Sequence, residues 1–155
     1  MKMHLVSLLL VALSASVPLH AADTGPVSAK TSVSDRLKTA RAAIQGKEWN
    51  KALAELNLAA REEPRNADVQ NLLGYSYRKQ GTPDLPKAFE HYQAALRLDP
   101  RHKGAHEYIG EAYLMDRKPA EAEKHLASLA QICGNTSCEE YEDLAKAIAD
   151  YKARH

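Results

Sequence analysis

The small and apolar residues of this chain return at a nearly regular interval, and the pattern predicts helices that come in pairs. Two alanines and a following proline recur with the same spacing, at Ala52, Ala59 and Pro64 and again at Ala88, Ala95 and Pro100. The two sets lie 36 residues apart, and Ala122 follows Ala88 by 34 residues. Since proline cannot continue a helix, each set predicts a helix that ends before its proline.

A second pattern predicts the helix that precedes each of these in the middle and last parts of the chain. Three residues recur together, at Leu73, Gly74 and Tyr77 and again at Ile109, Gly110 and Tyr113. Glycine costs roughly 1 kcal/mol in a helix interior, so its return at one position indicates that two helices approach closely there. In the first part of the chain, Ser32 and Asp35 predict a helix start of the capping-box type, and Gly46 predicts the helix end.

The order Leu-Gly-x-x-Tyr, then Ala-x3-Tyr-x2-Ala-Leu-x3-Pro over 73–100 resembles the tetratricopeptide repeat. This resemblance implies an all-α fold, a right-handed α-solenoid of three helix-turn-helix repeats. The repeats are predicted at about 33–66, 67–102 and 103–136. The family period is 34 residues, so the middle repeat has two extra residues, which we place in the turn over 81–86.

A seventh helix is predicted after the repeats, at about 138–153. Its apolar residues fall on one helical face, at Tyr141, Leu144, Ala145, Ile148 and Tyr151. Acidic residues crowd its first turn, where the helix dipole favours negative charge. We expect this helix to cover the exposed apolar side of the last repeat, as a solenoid cap does. The repeats and the cap would form one domain over 32–155.

The N-terminal residues predict a secretory leader. Lys2 supplies a positive charge, 5–17 is an apolar run of 13 residues, and Ala21 and Ala22 follow the helix-breaking Pro18, so we predict a cleavable signal peptide over 1–22. A membrane anchor is the weaker alternative, because a span needs about 20 apolar residues. Residues 23–31 are polar and show no helical periodicity, so we predict that they form a disordered lead-in. The mature chain would be periplasmic or secreted.

The balance of charge limits the class of partner. Lys and Arg number 21 and Asp and Glu number 20, and the loss of Lys2 with the leader would make the two counts equal. A nucleic-acid-binding protein normally has a basic domain or stripe, so we expect no nucleic-acid partner. A neutral mature chain also predicts no stable membrane attachment after the leader is removed.

Cys133 and Cys138 are the only two cysteines of the sequence, with four residues between them. An even number of cysteines in an exported protein favours a disulfide, and we predict one here. A redox pair or a metal site is the alternative, but the spacing is neither Cys-x-x-Cys nor Cys-x-x-Cys-His. So small a ring would contribute on the order of 2 kcal/mol and would attach the cap to the last repeat.

Other site chemistry has weak support in the sequence. His102 and His106 are four residues apart, a spacing that puts two imidazoles on one helical face, but the sequence places no third metal ligand. We favour packing between repeats for these histidines. The sequence has no phosphate-binding glycine loop, no Gly-x-Ser-x-Gly motif and no His-Glu-x-x-His motif. We therefore expect no enzyme activity, no bound metal and no cofactor.

The resemblance also implies where a partner would bind. In tetratricopeptide proteins the first helix of each repeat lines a concave groove, and the ligand-facing positions of this family fall here at Leu37, Arg41, Gln45, Asn71, Tyr75, Arg78, Glu107, Glu111 and Met115. Tyr75 would be a central aromatic anchor, and Asn71 could bond to a peptide backbone. Arg41, Asn71 and Arg78 form only part of the basic clamp that some family members use to bind a C-terminal carboxylate.

The function implied by the resemblance is a protein–protein interaction module in the periplasm. It would bind a peptide or a helix of a partner protein in the concave groove, with a role in assembly or maturation of an envelope or exported protein. Two alternatives stay open. One is a metal or small-ligand carrier that uses His102 and His106, and the other is a structural protein that associates with itself as a homo-oligomer.

Overall fold

The computed structural model describes residues 31–155, which form seven α-helices and no strand. The helices are α1 Val33–Gln45, α2 Trp49–Glu62, α3 Ala67–Lys79, α4 Leu85–Leu98, α5 Lys103–Met115, α6 Pro119–Cys133 and α7 Glu139–Arg154. The predicted all-α class is confirmed. The predicted signal peptide and the lead-in up to residue 30 lie outside the described residues, and both stay predictions.

The helices pack as three consecutive hairpins followed by a single helix. α1 packs on α2, α3 on α4, and α5 on α6, while α2 contacts α3 and α4 contacts α5. α7 packs against both helices of the third hairpin. The predicted α-solenoid of three helix-turn-helix repeats with a capping helix is therefore confirmed.

The turns within the hairpins explain the irregular period. Three residues, 46–48 and 116–118, separate the helices of the first and third hairpins, whereas five residues, 80–84, separate α3 from α4. Each short turn contains a residue in the left-handed region, Lys47 at φ 56° and Arg117 at φ 58°. The longer middle turn instead begins α4 with Asp84, whose carboxylate accepts a hydrogen bond from the Lys87 amide at 3.1 Å.

Glycine permits the close helix contacts of the core. A β-carbon at Gly74 would lie 2.6 Å from Cδ1 of Tyr92, which is completely buried in α4. A β-carbon at Gly110 would lie 2.7 Å from Cδ1 of Leu144, which is completely buried in the capping helix α7. Both glycines thus stand where another helix occupies the space of a side chain, and Gly110 fits the third hairpin to its cap.

The cap is attached to the third hairpin by a covalent bond and by apolar packing. Cys133 ends α6 and Cys138 caps the start of α7, and their sulfur atoms form a disulfide at 2.06 Å. Leu144 and Ile148 of α7 are buried with Leu114 of α5. No helix within residues 31–155 has the length and apolar character that crossing a bilayer requires.

Candidate partner-binding groove

The odd-numbered helices line a groove that contains two hollows. We call the first the acidic cleft; it has a volume of about 290 Å³ and is bordered by the first two turns of α3, α5 and α7 together with Arg41 of α1. Its acidic side chains are Asp68, Glu107, Glu139, Glu140 and Asp143. The second, the wide hollow, has a volume of about 600 Å³ and lies between the last turns of α3 and α5 and the C-terminal half of α7.

The residues predicted on α1 lie at one edge of this groove. Leu37, Arg41 and Gln45 border a shallow depression on the surface of α1. Arg41 is exposed and also reaches the acidic cleft, where its Nη2 lies 3.8 Å from Oδ2 of Asp68. Arg41 is therefore the predicted α1 residue that shares a surface with the residues predicted on α3 and α5.

Asn71 lies deep in the acidic cleft and is only 6% exposed. Its Oδ1 is buried and has no hydrogen-bond partner among residues 31–155. The neighbouring helix comes close because residue 104 is glycine: a β-carbon there would lie 3.2 Å from Nδ2 of Asn71. Asn71 therefore has an acceptor atom that no donor in residues 31–155 occupies.

Arg78 is held inside the protein and is only 5% exposed. Its Nη2 lies 2.5 Å from Oε2 of Glu111, and its Nε donates to the hydroxyl of Tyr92 at 3.2 Å. The guanidinium carbon also lies 5.4 Å and 5.6 Å from the ring centres of Tyr75 and Tyr108. Arg78 and Glu111, both predicted groove residues, are thus bound to each other across α3 and α5, and together they stiffen the groove floor.

Tyr75 stands in the middle of an aromatic row across the groove. Its ring centre is 6.5 Å from that of Trp49 and 4.8 Å from that of Tyr108, in tilted arrangements that favour aromatic attraction. Tyr75 keeps part of its surface open to solvent. Tyr108 was not predicted from the sequence, and burial together with nearby acidic groups raises its pKa to about 12.

Glu107 is the most unusual carboxyl group of the groove. It is only 8% exposed, and it forms no hydrogen bond or ion pair within the part of the chain that the structure describes. Burial raises its pKa to about 8, with further contributions from the negative charges of Glu111, Asp143 and Glu140, while Arg78 acts in the opposite direction. A carboxyl group with this pKa gains or loses its proton near neutral pH.

The wide hollow contains the last predicted groove residue, Met115. Its side chain is 45% exposed, and Tyr151 of α7 lines the same hollow. Charged residues of both signs surround this apolar surface, among them Lys79, Arg117, Asp150 and Arg154. The wide hollow therefore offers apolar contact with a mixed charged rim, unlike the acidic cleft.

The histidines pair with separate partners. His102 caps α5 by accepting the Ala105 amide at its Nδ1, and its Nε2 lies 3.0 Å from Oδ1 of Asp68. His106 contacts His125 and the Pro100 carbonyl oxygen. In the described residues, the ligand atoms that come together within 4.8 Å in a group of three or more are those of Cys133, Cys138 and Glu140, and the two cysteines are joined in the disulfide.

Four acidic residues of the cleft were not identified as site residues from the sequence, Asp68 of α3 and three residues of α7. Glu139, Glu140 and Asp143 were assigned only to the favourable first turn of the cap helix. α7 packs beside α5 on the groove side, so these carboxylates border the same cleft as Glu107. Treating α7 as one more groove-lining helix, rather than only as a cover, would have indicated them.

Comparison with known proteins supports the fold. No family model and no curated protein matches the sequence. Among solved structures, the TPR2B domain of yeast Sti1, in a complex with pHsp70, is 12% identical with a TM-score of 0.70, and the match covers 79% of this chain and 98% of that one. The TPR domain of Sgt2 from Aspergillus fumigatus is 20% identical with a TM-score of 0.69 and 84% coverage of both chains. The type III secretion translocator chaperone SycD of Yersinia enterocolitica is 15% identical with a TM-score of 0.66, covering 79% of this chain and 89% of that one. The chain described here has the tetratricopeptide-repeat fold.

Proposed function

We propose that this chain is a protein-binding module of the periplasm that holds a peptide or a helix of a partner protein in its groove, and so assists assembly or maturation of an exported protein. The observation that carries the proposal is the contrast within the groove. Arg78 and Glu111 are already bound to each other. In contrast, Asn71 Oδ1 is buried without a hydrogen-bond partner, and the 8% exposed Glu107 forms no ion pair among residues 31–155.

This contrast suits a binding surface. Ion pairs and aromatic contacts fix the backbone geometry of α3 and α5, and a rigid surface loses little conformational entropy when a ligand binds. Asn71 offers an unused acceptor, Tyr75 offers an open aromatic surface, and Met115 offers an apolar one. Similar folds also support the proposal, since one neighbour is described in complex with pHsp70 and another as a translocator chaperone.

Site-specific photo-crosslinking in intact cells tests where the partner binds. A benzophenone amino acid would replace Met115 in the wide hollow or, as a matched control, Leu58 on α2. Both are large apolar residues, exposed by 45% and 38%, and Leu58 borders neither hollow. We expect a covalent adduct with a different protein from position 115 and none from position 58. Adducts from position 58 alone, or from neither position, would contradict the proposal.

The same cells test the location. Cell fractionation followed by N-terminal sequencing of the purified chain should find it in the periplasmic fraction and beginning near residue 23, because the predicted leader ends at 22. A chain that retains Met1 in the cytoplasmic fraction would contradict the periplasmic part of the proposal. An adduct between two copies of this chain would favour the self-associating alternative.

A further inference from the structure

The acidic cleft has more negative charge than its own basic groups neutralise. Asp68 is paired, with Arg41 at 3.8 Å and with His102 at 3.0 Å. The other acidic side chains of the cleft form no ion pair among the described residues: Glu107, Glu139, Glu140 and Asp143. These four carboxyl groups come from two helices that pack side by side. Burial, together with the negative charges of Asp143 and Glu140, raises the pKa of Glu107 to about 8, so Glu107 is ionised at a cost.

The cap helix alone does not account for this arrangement. Acidic residues in the first turn of α7 are favoured by the helix dipole, which explains Glu139 and Glu140 as stabilising groups. Glu107 lies in the second turn of α5 and Asn71 in the second turn of α3, where that explanation does not apply. A different reason is needed for burying a carboxyl group beside other acids.

Asn71 supplies an independent observation. Asn71 lines the cleft and is only 6% exposed, and its buried Oδ1 has no donor in residues 31–155. A buried acceptor without a partner costs stability, because it has lost its hydrogen bonds to water. A cationic ligand with N–H donors would remove this cost and would also stabilise the ionised form of Glu107.

We infer that the acidic cleft receives a basic side chain of the partner protein, a lysine ammonium or an arginine guanidinium, with Asn71 Oδ1 and the carboxylate of Glu107 as acceptors and with Glu140 and Asp143 at the rim. The inference rests on the proposed function and names the chemistry of the partner. Ammonium and guanidinium groups carry donors only, which matches a site that presents acceptors.

The dimensions of the cleft favour one side chain over other cations. Its volume of about 290 Å³ lies at the lower limit of small-molecule pockets, roughly 300–1,000 Å³. A divalent metal ion would need several oxygen ligands at about 2.0–2.6 Å. The carboxylates of the cleft do not come close enough together for this. Among residues 31–155, the group of three possible ligand atoms within 4.8 Å of one another belongs to Cys133, Cys138 and Glu140.

Peptide selection with the purified chain tests the inference. A displayed library of random peptides of about 12 residues would be selected for binding, and the bound sequences counted against the input. We expect Lys and Arg to be enriched at least about threefold, and a synthetic copy of the leading peptide to lose at least about tenfold in affinity when its basic residue is changed to Gln.

Variants of the chain locate the binding group. The double change Glu140→Gln with Asp143→Asn removes two rim charges, and Asn71→Leu removes the buried acceptor; each should weaken the leading peptide at least about fivefold. The control is Glu90→Gln with Glu142→Gln, which removes the same charge from exposed positions outside the cleft. It should change the affinity less than about twofold, because these exposed charges do not line the cleft and are screened by solvent and salt.

The outcomes separate the inference from the proposed function. The basic-residue inference would be overturned if the selected peptides were neutral or acidic, or if the cleft and control variants lost equal affinity. An adduct at position 115 would still support the proposed function in that case. If the library gives no binder, the partner segment crosslinked through position 115 is identified by mass spectrometry, and a segment without Lys or Arg overturns the inference. No binder together with no adduct overturns both.

Discussion

The imidazole rings of His106 and His125 meet nitrogen to nitrogen, with their Nδ1 atoms 2.9 Å apart. This contact joins α5 to α6. The Nε2 of His106 lies 3.1 Å from the carbonyl oxygen of Pro100, which can only accept, so this nitrogen carries a proton. One proton lies between the two Nδ1 atoms, so the contact is lost when both rings become charged.

The histidine pair predicts a loss of stability in acid. Burial and the charge of His106 lower the pKa of His125 from 6.5 to about 4, while the nearby Glu121 and Lys124 act in opposite directions. The unfolded chain therefore binds more protons than the folded chain as the pH falls from 6.5 toward 4, and the free energy of unfolding must fall over this window. The His125→Gln side chain cannot become charged, so the free energy of unfolding of this variant should fall by about 2 kcal/mol less than that of wild type over the same pH window.

Urea unfolding at pH 7 and pH 4.5 measures this difference, and His155→Gln is a suitable control because His155 is exposed at the chain end. The control should follow the wild type. Parallel losses in wild type and His125→Gln would show that the histidine contact does not govern the acid sensitivity.

Glu107 predicts the opposite dependence on pH. Its pKa is raised from 4.5 to about 8, mainly by burial and then by Glu111, Asp143 and Glu140. The folded chain then binds more protons than the unfolded chain between these values, so the contribution of Glu107 to stability falls as the pH rises through this window. As the pH rises from 5 to 9, the free energy of unfolding of Glu107→Gln should increase by about 2 kcal/mol relative to that of wild type.

Unfolding of the two proteins across that pH range gives the comparison, with Glu142→Gln as the control for loss of an exposed charge from α7. If Glu107→Gln and wild type kept a constant difference from pH 5 to pH 9, Glu107 would be ionised throughout and the burial argument would be wrong.

The repeat pattern predicted the close contacts at Gly74 and Gly110 but not their partners. Gly74 lies against Tyr92 of its own hairpin, whereas Gly110 lies against Leu144 of α7, outside its hairpin. α6 has Leu126 at the position of Tyr92, and the smaller side chain leaves space that Leu144 of α7 fills. A period identifies equivalent positions, whereas the size of each side chain decides which helix reaches them.

Alanine at these two glycines should destabilise the chain for different reasons. Gly110→Ala places a methyl group 2.7 Å from Leu144, and Gly74→Ala places one 2.6 Å from Tyr92, so each should cost about 1–3 kcal/mol. Adding Leu144→Ala, which removes the contacted methyl groups, should recover part of the cost of Gly110→Ala and none of the cost of Gly74→Ala. A double-mutant cycle by chemical unfolding measures both couplings; equal coupling for the two glycines would contradict the structure.

The disulfide predicts local stabilisation of the cap. Replacing Cys133 and Cys138 with serine should lower the free energy of unfolding by about 2 kcal/mol, because the unfolded chain loses its closed ring. Amide hydrogen exchange should rise first in α7, and α1 should keep its protection. Uniform changes in both helices, or an unchanged rate in α7, would show that apolar packing alone holds the cap.

The sequence predicted the fold more fully than it predicted the binding site. Alanine, glycine and proline positions predict helix pairing because helix contact and helix termination depend on few local properties. Which groove residues are free depends on contacts between distant residues, such as Arg78 with Glu111, 33 positions apart. The acidic cleft also depends on where α7 docks, and neither fact is contained in the repeat pattern.

The two contacts of Arg78 predict how much different substitutions of this residue destabilise the chain. Its guanidinium contacts Glu111 and donates to Tyr92 at the same time, with 5% of the residue exposed. Arg78→Met would leave the Tyr92 hydroxyl buried without its donor and Glu111 without its ion pair, at a cost of about 3 kcal/mol.

Arg78→Lys keeps the charge but has one amine in place of the planar group, so it should serve Glu111 or Tyr92 and not both, with an intermediate cost of about 1–2 kcal/mol. Tyr92→Phe should then lower the free energy of unfolding more in the wild-type background than in the Arg78→Met background. In the Arg78→Met variant the Tyr92 hydroxyl has already lost its donor. Chemical unfolding of the single and double variants measures that coupling. Additive costs would mean that the Arg78–Tyr92 hydrogen bond contributes nothing and that Glu111 alone accounts for keeping an arginine buried in the groove floor.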